Sequence, residues 1–323
     1  MIGGAGYVGS HAVLALADAG IPAVVLDDLS TGHRDLVPAG VPLHVAALDD
    51  GAALRGLLGD GITAVMHFAA RSLVAESVHN PRKYFEANCA GGLALAGAML
   101  DCGVTQIVFS STAAVFGEPQ GPPGTPIPDD APRAPLNPYG VSKAFIEDLL
   151  HGYHSHGLRA VSLRYFNAAG ADPAARSGER HHPESHLIPI VLDAALGRRP
   201  EVTVFGTDYP TRDGSCLRDY IHVSDLATAH LRALDYLAAG GDSVRLNLGS
   251  GTGTTVREVI DAVRKVTGRP VPVREGARRP GDPAALVASS AGAQRVLGWR
   301  IERGDIETIV ADAWRYHLKV RPA

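Results

Sequence analysis

The stretch GGAGYVGSH, residues 3–11, decides the fold that we predict for this chain. Its glycines Gly3, Gly6 and Gly9 are spaced by three residues, and the stretch also contains the pattern G-x-G-x-x-G. The Ala- and Leu-rich run at residues 10–19 is predicted to be a helix. Glycines placed here let the backbone approach a pyrophosphate closely beside a helix N-terminus. We therefore predict a dinucleotide-binding loop, with a glycine-rich turn as the alternative for this pattern taken alone.

A carboxylate at the end of the next predicted strand indicates which dinucleotide binds. Asp27 follows Gly9 by eighteen residues, where it would accept hydrogen bonds from the adenosine ribose and repel a 2′-phosphate. This position favours NAD over NADP as the cofactor. The neighbouring Asp28 either shares that role or caps the following turn.

Apolar runs that alternate with helical stretches predict an α/β fold. We expect strands at residues 23–26, 64–68, 106–109 and 160–163. Their near-continuous apolar character is typical of a parallel sheet that is covered by helices on both faces. We predict a Rossmann-type, doubly wound parallel sheet in an NAD-binding domain, residues 1–167. A smaller C-terminal α/β domain, residues 168–323, is predicted to bind the substrate, with some segments crossing back to the first domain.

The first strand of the predicted sheet is expected to be truncated. A Rossmann-type sheet needs a strand of about five residues before its glycine loop, but only Met1 and Ile2 precede Gly3. That strand lies centrally in this topology. We therefore expect a gap or distorted pairing in mid-sheet, and we interpret the short beginning as a mis-set start site.

The composition excludes several classes of protein. Of the 323 residues, 46% are hydrophobic and 20% are charged, which is too apolar for a disordered chain. The net charge is −4 and no basic block is present, so we expect no nucleic-acid partner. Since we find no apolar run of about 18 residues and no leader pattern, we expect no membrane partner and a cytoplasmic location.

The three cysteines point neither to a disulfide framework nor to a metal site. Cys89, Cys102 and Cys216 cannot pair completely, and none lies in a C-x-x-C spacing. We expect them to be buried small hydrophobic residues.

A tyrosine and a lysine on one helix face form a candidate catalytic group. Asn137 is a good N-cap and Pro138 a good first helical residue, so Tyr139 falls in the first turn, with Lys143 four residues later. A cation beside a phenol lowers the pKa of the phenol, which would let Tyr139 act as a general base. Thr112 follows a predicted strand at the carboxyl edge of the sheet, where its hydroxyl could bind a substrate oxygen. An exposed tyrosine and lysine on a helix face are the alternative.

Several further segments accompany these residues. Together they resemble the extended short-chain dehydrogenase/reductase family, and within it the UDP-sugar 4-epimerases, along almost the whole chain. The segments that carry the resemblance are residues 3–11, His67-Phe68-Ala69-Ala70, Glu76-Ser77-Val78, Asn88, Arg164-Tyr165-Phe166-Asn167 and Arg218-Asp219-Tyr220-Ile221-His222-Val223.

The resemblance implies a set of site residues. It makes Tyr139 the base, lets Lys143 hold the nicotinamide ribose and tune the tyrosine, and places Thr112 at a Ser/Thr position of the family. The residues implied to contact NAD are Gly3, Gly6, Tyr7, Val8, Gly9, Asp27, Asp28, Phe68, Ala69, Asn88, Lys143 and Phe166. Those implied to contact a UDP-sugar are Thr112, Tyr139, Asn167, Leu187, Phe205, Arg218, Arg279, Asp282 and Leu286, with Arg218 and Arg279 on the diphosphate.

The activity implied by the resemblance is reversible C4 epimerisation of a UDP-hexose, from UDP-galactose to UDP-glucose, through a transient 4-keto intermediate and bound NAD. The alternatives are 4-epimerisation of a UDP-N-acetylhexosamine or UDP-pentose, because pocket size decides the sugar, and a non-catalytic NAD-sensing regulator. Leu286 stands where some members carry a bulky tyrosine, which would leave room for an N-acetyl group. A 4,6-dehydratase is disfavoured by Ala113 and Ala114, where those enzymes resemble Asp-Glu.

A homodimer is also implied by the resemblance. The helices after Asn80 and Pro138 would pair into a four-helix bundle, supported by apolar residues such as Leu93, Phe145 and Leu149.

The sequence departs from the family pattern in three places. Residues 46–49, Ala-Ala-Leu-Asp, stand where an acidic residue usually follows a glycine to hold the adenine. Arg71 and Ser72 follow the His-Phe-Ala segment, where a lysine is frequent. A family Asn-Leu pair is replaced by His186 and Leu187.

A histidine- and glutamate-rich segment does not fit a standard metal motif. It contains Glu179, His181, His182, Glu184 and His186. We expect this segment to be an exposed loop and predict no metal there.

Overall fold

Parallel β-strands form the centre of the computed structural model, which describes residues 1–279 and 282–321. The strands are β1 (Val25–Asp27), β2 (Leu43–Val45), β3 (Val65–His67), β4 (Gln106–Thr112), β5 (Arg159–Tyr165), β6 (Asn167–Ala169), β7 (Val202–Phe205), β8 (Leu217–Arg218), β9 (Tyr220–His222), β10 (Val244–Leu248), β11 (Thr254–Thr255), β12 (Val273–Gly276) and β13 (Ala285–Leu286). Each predicted strand overlaps an observed one, namely β1, β3, β4 or β5.

Helices cover this sheet and build the second half of the chain. They are α1 (Tyr7–Asp18), α2 (Gly51–Leu58), α3 (Val74–His79), α4 (Pro81–Tyr84), α5 (Gly91–Asp101), α6 (Pro138–Gly152), α7 (Leu187–Ala195), α8 (Val223–Ala238), α9 (Val256–Thr267), α10 (Ala291–Leu297) and α11 (Ile306–Val320). A π-helical turn, Phe85–Ala90, joins α4 to α5, and short 3₁₀ turns lie at Arg34–Leu36, Ala113–Val115 and Tyr153–His156. Among the described residues, none of these helices has the length and apolar character needed to cross a membrane.

The main sheet has the parallel, doubly wound order that the sequence predicts. Four strands pair in the order β10-β5-β4-β3, and β1 pairs with β2. The apolar side chains between β3 to β5 and the helices α2, α5 and α6 form one core, which includes Leu54, Met99, Ile107 and Ile146. Every strand of this sheet therefore delivers its carboxyl end to the same edge.

A two-residue segment stands in mid-sheet where a full strand is usual, but it pairs on both sides, so the expected gap is not observed. Ile2 lies between β1 and β3 and forms single bridges to Leu26 and His67. Its amide donates to the carbonyl of Met66 at 2.9 Å, and its carbonyl accepts from the amide of Phe68 at 2.8 Å. Met1 and Gly3 also hydrogen-bond Leu26 of β1 at 2.8 Å each, so residues 1–3 join β1 to β3 before the chain enters the glycine loop.

The second half of the chain forms smaller sheets around a core of its own. Strand β11 pairs antiparallel and β13 parallel with β8, while β12 pairs with β7 and β6 with β9. Helices α7, α9 and α11 enclose the second core, which includes Val191, Val204, Val263 and Ile309. Strand β10 extends the main sheet and α8 packs against α1, so both cross back toward the first half. We propose a domain boundary at residue 167 with these two crossing segments.

The cysteines differ from the prediction in their burial. Cys216 is buried, as expected, but Cys89 and Cys102 are partly exposed. Cys102 packs at the edge of the main core and the Cys89 thiol contacts the carbonyl of Ser142 in α6, but neither is fully buried, so the prediction is wrong for these two residues.

Candidate active site

Two cavities open along the carboxyl edge of the main sheet and meet at the glycine loop. The first has a volume of about 570 Å³ and lies beside β1 and β2. The second has a volume of about 600 Å³ and lies at the ends of β4 and β5. Gly3, Gly6, Thr31, Phe68 and Ala70 line both cavities, so the two form one continuous cleft.

Most of the predicted site residues line this cleft. In the first cavity lie Gly3, Gly6, Asp27, Asp28, Phe68 and Ala69. In the second lie Tyr7, Val8, Gly9, Thr112, Tyr139, Lys143, Phe166, Asn167, Arg218, Arg279, Asp282 and Leu286.

The glycine loop has the shape of a phosphate cradle. Gly3 has φ of +77°, and a Cβ there would lie 2.4 Å from the amide nitrogen of Ala69. A Cβ at Gly9 would lie 2.1 Å from the carbonyl oxygen of Gly3. Helix α1 begins directly after Gly6, with no side-chain cap and no acidic residue in its first turn. Its first N–H groups therefore remain available to an anion, which the helix dipole also favours.

Asp27 is tied to the glycine loop as well as to the first cavity. Its Oδ2 accepts from the amide of Ala5 at 2.9 Å, and its Oδ1 accepts from the amide of Leu29 at 2.9 Å. Burial raises the pKa of Asp27, and these two hydrogen bonds work in the opposite direction. Asp28 faces the same cavity while its Oδ1 accepts from the amide of Ser30 at 2.9 Å, so it caps the turn.

Three predicted site residues do not line either cavity. They are Asn88, Leu187 and Phe205, judged from the part of the chain that the structure describes. The Asn88 side chain is buried and donates to the carbonyl of Arg71 at 3.0 Å and to Ser142 Oγ at 2.9 Å. Phe205 lies under Arg279, whose guanidinium is 4.0 Å from the ring centroid. Leu187 begins α7, and the neighbouring His186 lines the cavity instead. All three support residues of the cleft.

Local sequence signals place Thr112, Tyr139 and Lys143 together. Thr112 ends β4 at the carboxyl edge of the sheet. Asn137 caps α6 by accepting from the amide of Gly140 at 2.9 Å, with Pro138 in the first helical position, as predicted. Tyr139 and Lys143 are consequently one turn apart on the side of α6 that faces the second cavity.

The electrostatics of this group differ from the expectation. Burial raises the pKa of Tyr139, and a hydrogen bond with Thr112 works in the opposite direction. The Lys143 ammonium donates to the carbonyl of Ser110 at 2.9 Å and lies 4.8 Å from the Phe109 ring centroid. Burial lowers the pKa of Lys143 to about 7, although Glu147 opposes this shift. Desolvation of Tyr139 outweighs its hydrogen bond with Thr112, so the pKa of this tyrosine is not lowered as expected.

The substrate half of the cleft carries two guanidinium groups. Arg218 donates to the carbonyl of Pro283 at 2.9 Å and lies 3.5 Å from a carboxylate oxygen of Asp282. Arg279 stacks on Phe205. Both arginines are held at their sites and still line the second cavity, where planar guanidinium groups suit phosphate oxygens.

Two residues of the second cavity, Ser110 and Tyr165, have no site role that the sequence predicts. Ser110 and Tyr165 line it and hydrogen-bond each other through their hydroxyl groups. Tyr165 belongs to a segment already quoted and Ser110 follows the strand predicted at residues 106–109, but the sequence gives no sign that β4 and β5 bring them together.

The histidine- and glutamate-rich segment is not the exposed loop that we predicted. The side chains of Glu179 and Glu184 are only 8% exposed, and Glu179, His181 and His186 line the second cavity. Although burial alone would raise it, the pKa of Glu179 is lowered to about 2 by His186 and His181. Burial lowers the pKa of His186, but the nearby Glu179 carboxylate raises it more, to about 10. Packing against the glycine loop, where the His181 ring meets Tyr7, explains the burial.

Comparisons with known proteins agree with this arrangement. Residues 1–249 match the family described as the NAD dependent epimerase/dehydratase family. The UDP-glucose 4-epimerase of Halalkalibacterium halodurans is 50% identical over 316 residues, which cover 98% of this chain and 94% of that protein.

Solved structures are similar over the whole chain. The UDP-glucose 4-epimerase from Brucella ovis in complex with NAD has a TM-score of 0.94 at 42% identity, covering 98% of this chain and 96% of that one. The enzyme from Stenotrophomonas maltophila, with bound NAD and formylated UDP-arabinopyranose, has a TM-score of 0.95 at 40% identity, covering 100% and 98%. With matches of this extent, the chain belongs to the NAD dependent epimerase/dehydratase family.

Proposed function

We propose that this chain is an NAD-dependent epimerase that interconverts UDP-galactose and UDP-glucose by inversion at C4. One observation carries the proposal. Thr112, Tyr139 and Lys143 converge in a cavity that joins the glycine loop to the arginines Arg218 and Arg279. A dinucleotide site, a proton acceptor and a diphosphate site therefore share one cleft. The similarity to UDP-glucose 4-epimerases supports the same substrate class.

The cleft fits NAD. The glycine loop would hold its pyrophosphate, since side chains at Gly3 and Gly9 are excluded and the first N–H groups of α1 are free of caps. Asp27 and Asp28 would bind the adenosine ribose, in a cavity that also includes Asp49, the acidic residue of the segment that departs from the family pattern. When bound, this cofactor would supply the hydride acceptor for C4 of the sugar and the hydride donor for its return.

Tyr139 moves the proton. Its phenolate oxygen, which a cationic Lys143 and oxidised NAD would favour, accepts the proton of the sugar 4-hydroxyl as the 4-keto sugar forms, and the resulting Tyr139 hydroxyl gives that proton back when the alcohol is restored. Thr112, which hydrogen-bonds Tyr139, binds the same sugar oxygen. Lys143 lies one turn further along α6 and supplies a cationic donor at the nicotinamide ribose.

Arg218 and Arg279 anchor the substrate while its sugar turns over. A 4-keto sugar has to present both faces in the same site, so the rest of the molecule must be held elsewhere. Two fixed guanidinium groups on the diphosphate meet that need. Asn167 and Asp282 complete this end of the cavity, and Phe205 and Leu187 support it from behind.

The size of the sugar pocket suggests a second substrate class, the UDP-N-acetylhexosamines. Leu286 lines the cavity. Its side chain is smaller than the tyrosine that some family members carry at this place, so we propose that the pocket also accepts the N-acetyl group of UDP-N-acetylglucosamine.

We propose that the chain forms a homodimer through α5 and α6. Leu93 and Phe145 on these helices are 47% and 43% exposed, and Phe85 and Val141 add to the same apolar surface. Leu149 is partly buried against the main core and supports the surface from inside. Exposed apolar clusters of this kind are typical of protein interfaces.

The purified protein should convert UDP-galactose to UDP-glucose without added NAD. Because each cycle regenerates the cofactor, bound NAD suffices for many turnovers. Proton NMR of the sugar anomeric signals follows both directions, and UDP-N-acetylglucosamine is assayed in parallel. A protein that retains NAD but converts none of these substrates would be the non-catalytic regulator instead.

A further inference from the structure

A compact set of four metal-binding side chains lies in the wall of the second cavity. Glu179, His181, Glu184 and His186 each offer one ligand atom, and these atoms lie within 4.8 Å of one another. His186 Nδ1 is 2.6 Å from Glu179 Oε1 and 3.3 Å from Glu184 Oε1. His181 Nδ1 is 3.1 Å and 3.9 Å from the same two oxygens. Each histidine nitrogen therefore faces both carboxylates.

These distances match the edges of a small coordination tetrahedron. Zn²⁺ binds histidine nitrogen and carboxylate oxygen at about 2.0–2.2 Å, so ligand atoms around a tetrahedral ion lie about 3.3 Å apart. The four nitrogen to oxygen distances bracket this value on both sides. Binding all four atoms to one ion requires the 2.6 Å pair to separate and the widest pair, up to 4.8 Å apart, to approach.

An independent observation concerns Glu184. Its side chain is only 8% exposed, and its Oε2 is buried without a hydrogen-bond partner among the described residues. A buried carboxylate oxygen left unpaired is costly. The other oxygen, Oε1, accepts from the backbone amides of Ser185 and His186 at 2.9 Å each and lies 3.3 Å from His186 Nδ1, so a cation held beside it would also be within reach of Oε2.

The charge of the cluster points to a divalent ion. Two largely buried carboxylates face two imidazole nitrogens, and buried charges are normally paired or bind a metal. With neutral histidines, a divalent cation cancels the two carboxylate charges. A metal-free cluster in which protonated histidines pair with the glutamates is the competing arrangement.

We propose that Glu179, His181, Glu184 and His186 form a site for one Zn²⁺ ion in the wall of the sugar-nucleotide cavity. Four protein ligands fill a tetrahedral ion, which is the pattern of structural rather than catalytic zinc. The ion would join residues 179–186 to the start of α7 and, through the contact of His181 with Tyr7, to the glycine loop. Its role is to position this wall, not to take part in the chemistry at C4.

Cobalt titration tests the site without using turnover, so its result is independent of the proposed function. The full-length protein is dialysed against a chelator and then titrated with Co²⁺, which gives intense visible bands when it is four-coordinate. We expect one ion per chain with these bands, displaced by an equal amount of Zn²⁺. Thermal unfolding with and without Zn²⁺ provides a second readout, with a higher Tm in its presence.

Three variants decide the assignment. Glu184→Gln and His181→Gln each remove one ligand, and we expect both to lower Co²⁺ affinity more than tenfold and to abolish the Tm increase. His182→Gln is the matched control, because this neighbouring exposed histidine is outside the cluster. Circular dichroism verifies that each variant is folded. If one of the two ligand variants does not fold, His186→Gln is used in its place. Absence of the intense bands, or equal binding by all variants, overturns the proposal in favour of the metal-free cluster.

Discussion

At the scale of single residues, Tyr139 is the side chain on which the proposed chemistry depends most. Tyr139→Phe removes one hydroxyl and leaves the ring in its buried position. We expect kcat for UDP-galactose to fall by about 10² to 10⁴, because a general base contributes about that much. Bound NAD and the circular dichroism spectrum should stay unchanged.

Tyr165→Phe is the matched control for this prediction. Tyr165 lines the same cavity, but its hydroxyl is engaged with Ser110. We expect a much smaller loss of kcat. An equal loss in the two variants, or near-normal turnover by Tyr139→Phe, would refute the assignment of Tyr139 as the base.

A buried histidine makes the stability depend on pH. In α8, His230 donates a hydrogen bond from Nδ1 to the carbonyl of Leu226 at 2.8 Å, and burial lowers its pKa to about 4. Below about pH 6.5, His230 is protonated in the unfolded chain but stays neutral in the folded chain. The free energy of unfolding therefore decreases as the pH falls toward 4. The loss from this residue alone is about 3 kcal/mol when complete.

His230→Leu should remove this part of the acid sensitivity. Urea unfolding at pH 7, 5.5 and 4.5 measures the free energy of unfolding of both proteins. We expect the wild-type curve to fall more steeply with decreasing pH than that of the variant. Parallel curves would mean that His230 takes up no extra proton on unfolding.

At the scale of secondary-structure elements, the close contact between the glycine loop and α1 is decisive for cofactor binding. Gly9→Ala places a Cβ 2.1 Å from the carbonyl oxygen of Gly3, so the loop has to move. We expect retained NAD to fall at least tenfold, measured as nucleotide released on denaturation. Gly56→Ala in α2 is the control, because its Cβ meets nothing within 4 Å and alanine favours the helix. NAD retention by Gly9→Ala at the wild-type level would contradict this account of the loop.

Helix α6 is held to the sheet by a buried ion pair one turn after Lys143. Glu147 accepts from Arg164 at 2.8 Å and 2.6 Å, and both side chains are nearly inaccessible. Glu147→Ala leaves the arginine charge unpaired, so we expect a loss of about 3–5 kcal/mol in the free energy of unfolding.

The neighbouring exposed carboxylate gives the control for this pair. Asp148 binds Arg133 and Arg245 at the surface, where Asp148→Asn should cost less than about 1 kcal/mol. Urea denaturation compares the two variants. Similar small effects would show that the buried pair does not hold the helix.

At the scale of the whole molecule, the exposed apolar surface of α5 and α6 predicts the oligomeric state. We expect the wild-type protein to sediment as a dimer at micromolar concentration. Phe145→Glu should yield a monomer, because a carboxylate in the interface centre would be buried without a partner. Val273→Glu, at an exposed apolar position far from these helices, should remain dimeric. A wild-type monomer would refute the proposed interface.

The sequence by itself determined the features that depend on local spacing. The glycine loop before α1, the Asn137 cap of α6 and the one-turn separation of Tyr139 and Lys143 follow from residues close together in the chain. The parallel, doubly wound sheet also follows, because the apolar runs are visible in the sequence. Short-range sterics and hydrophobic periodicity are sufficient for these predictions.

Only the tertiary structure decided which groups meet across long chain separations. It gave Lys143 a partner in the carbonyl of Ser110 and Glu147 a partner in Arg164. It also buried Glu179, so that a segment predicted to be exposed became part of the cavity wall. The direction of the Tyr139 pKa shift was likewise decided by burial. Desolvation and charge pairing depend on contacts between distant segments, and the spacing of residues along a chain does not encode them.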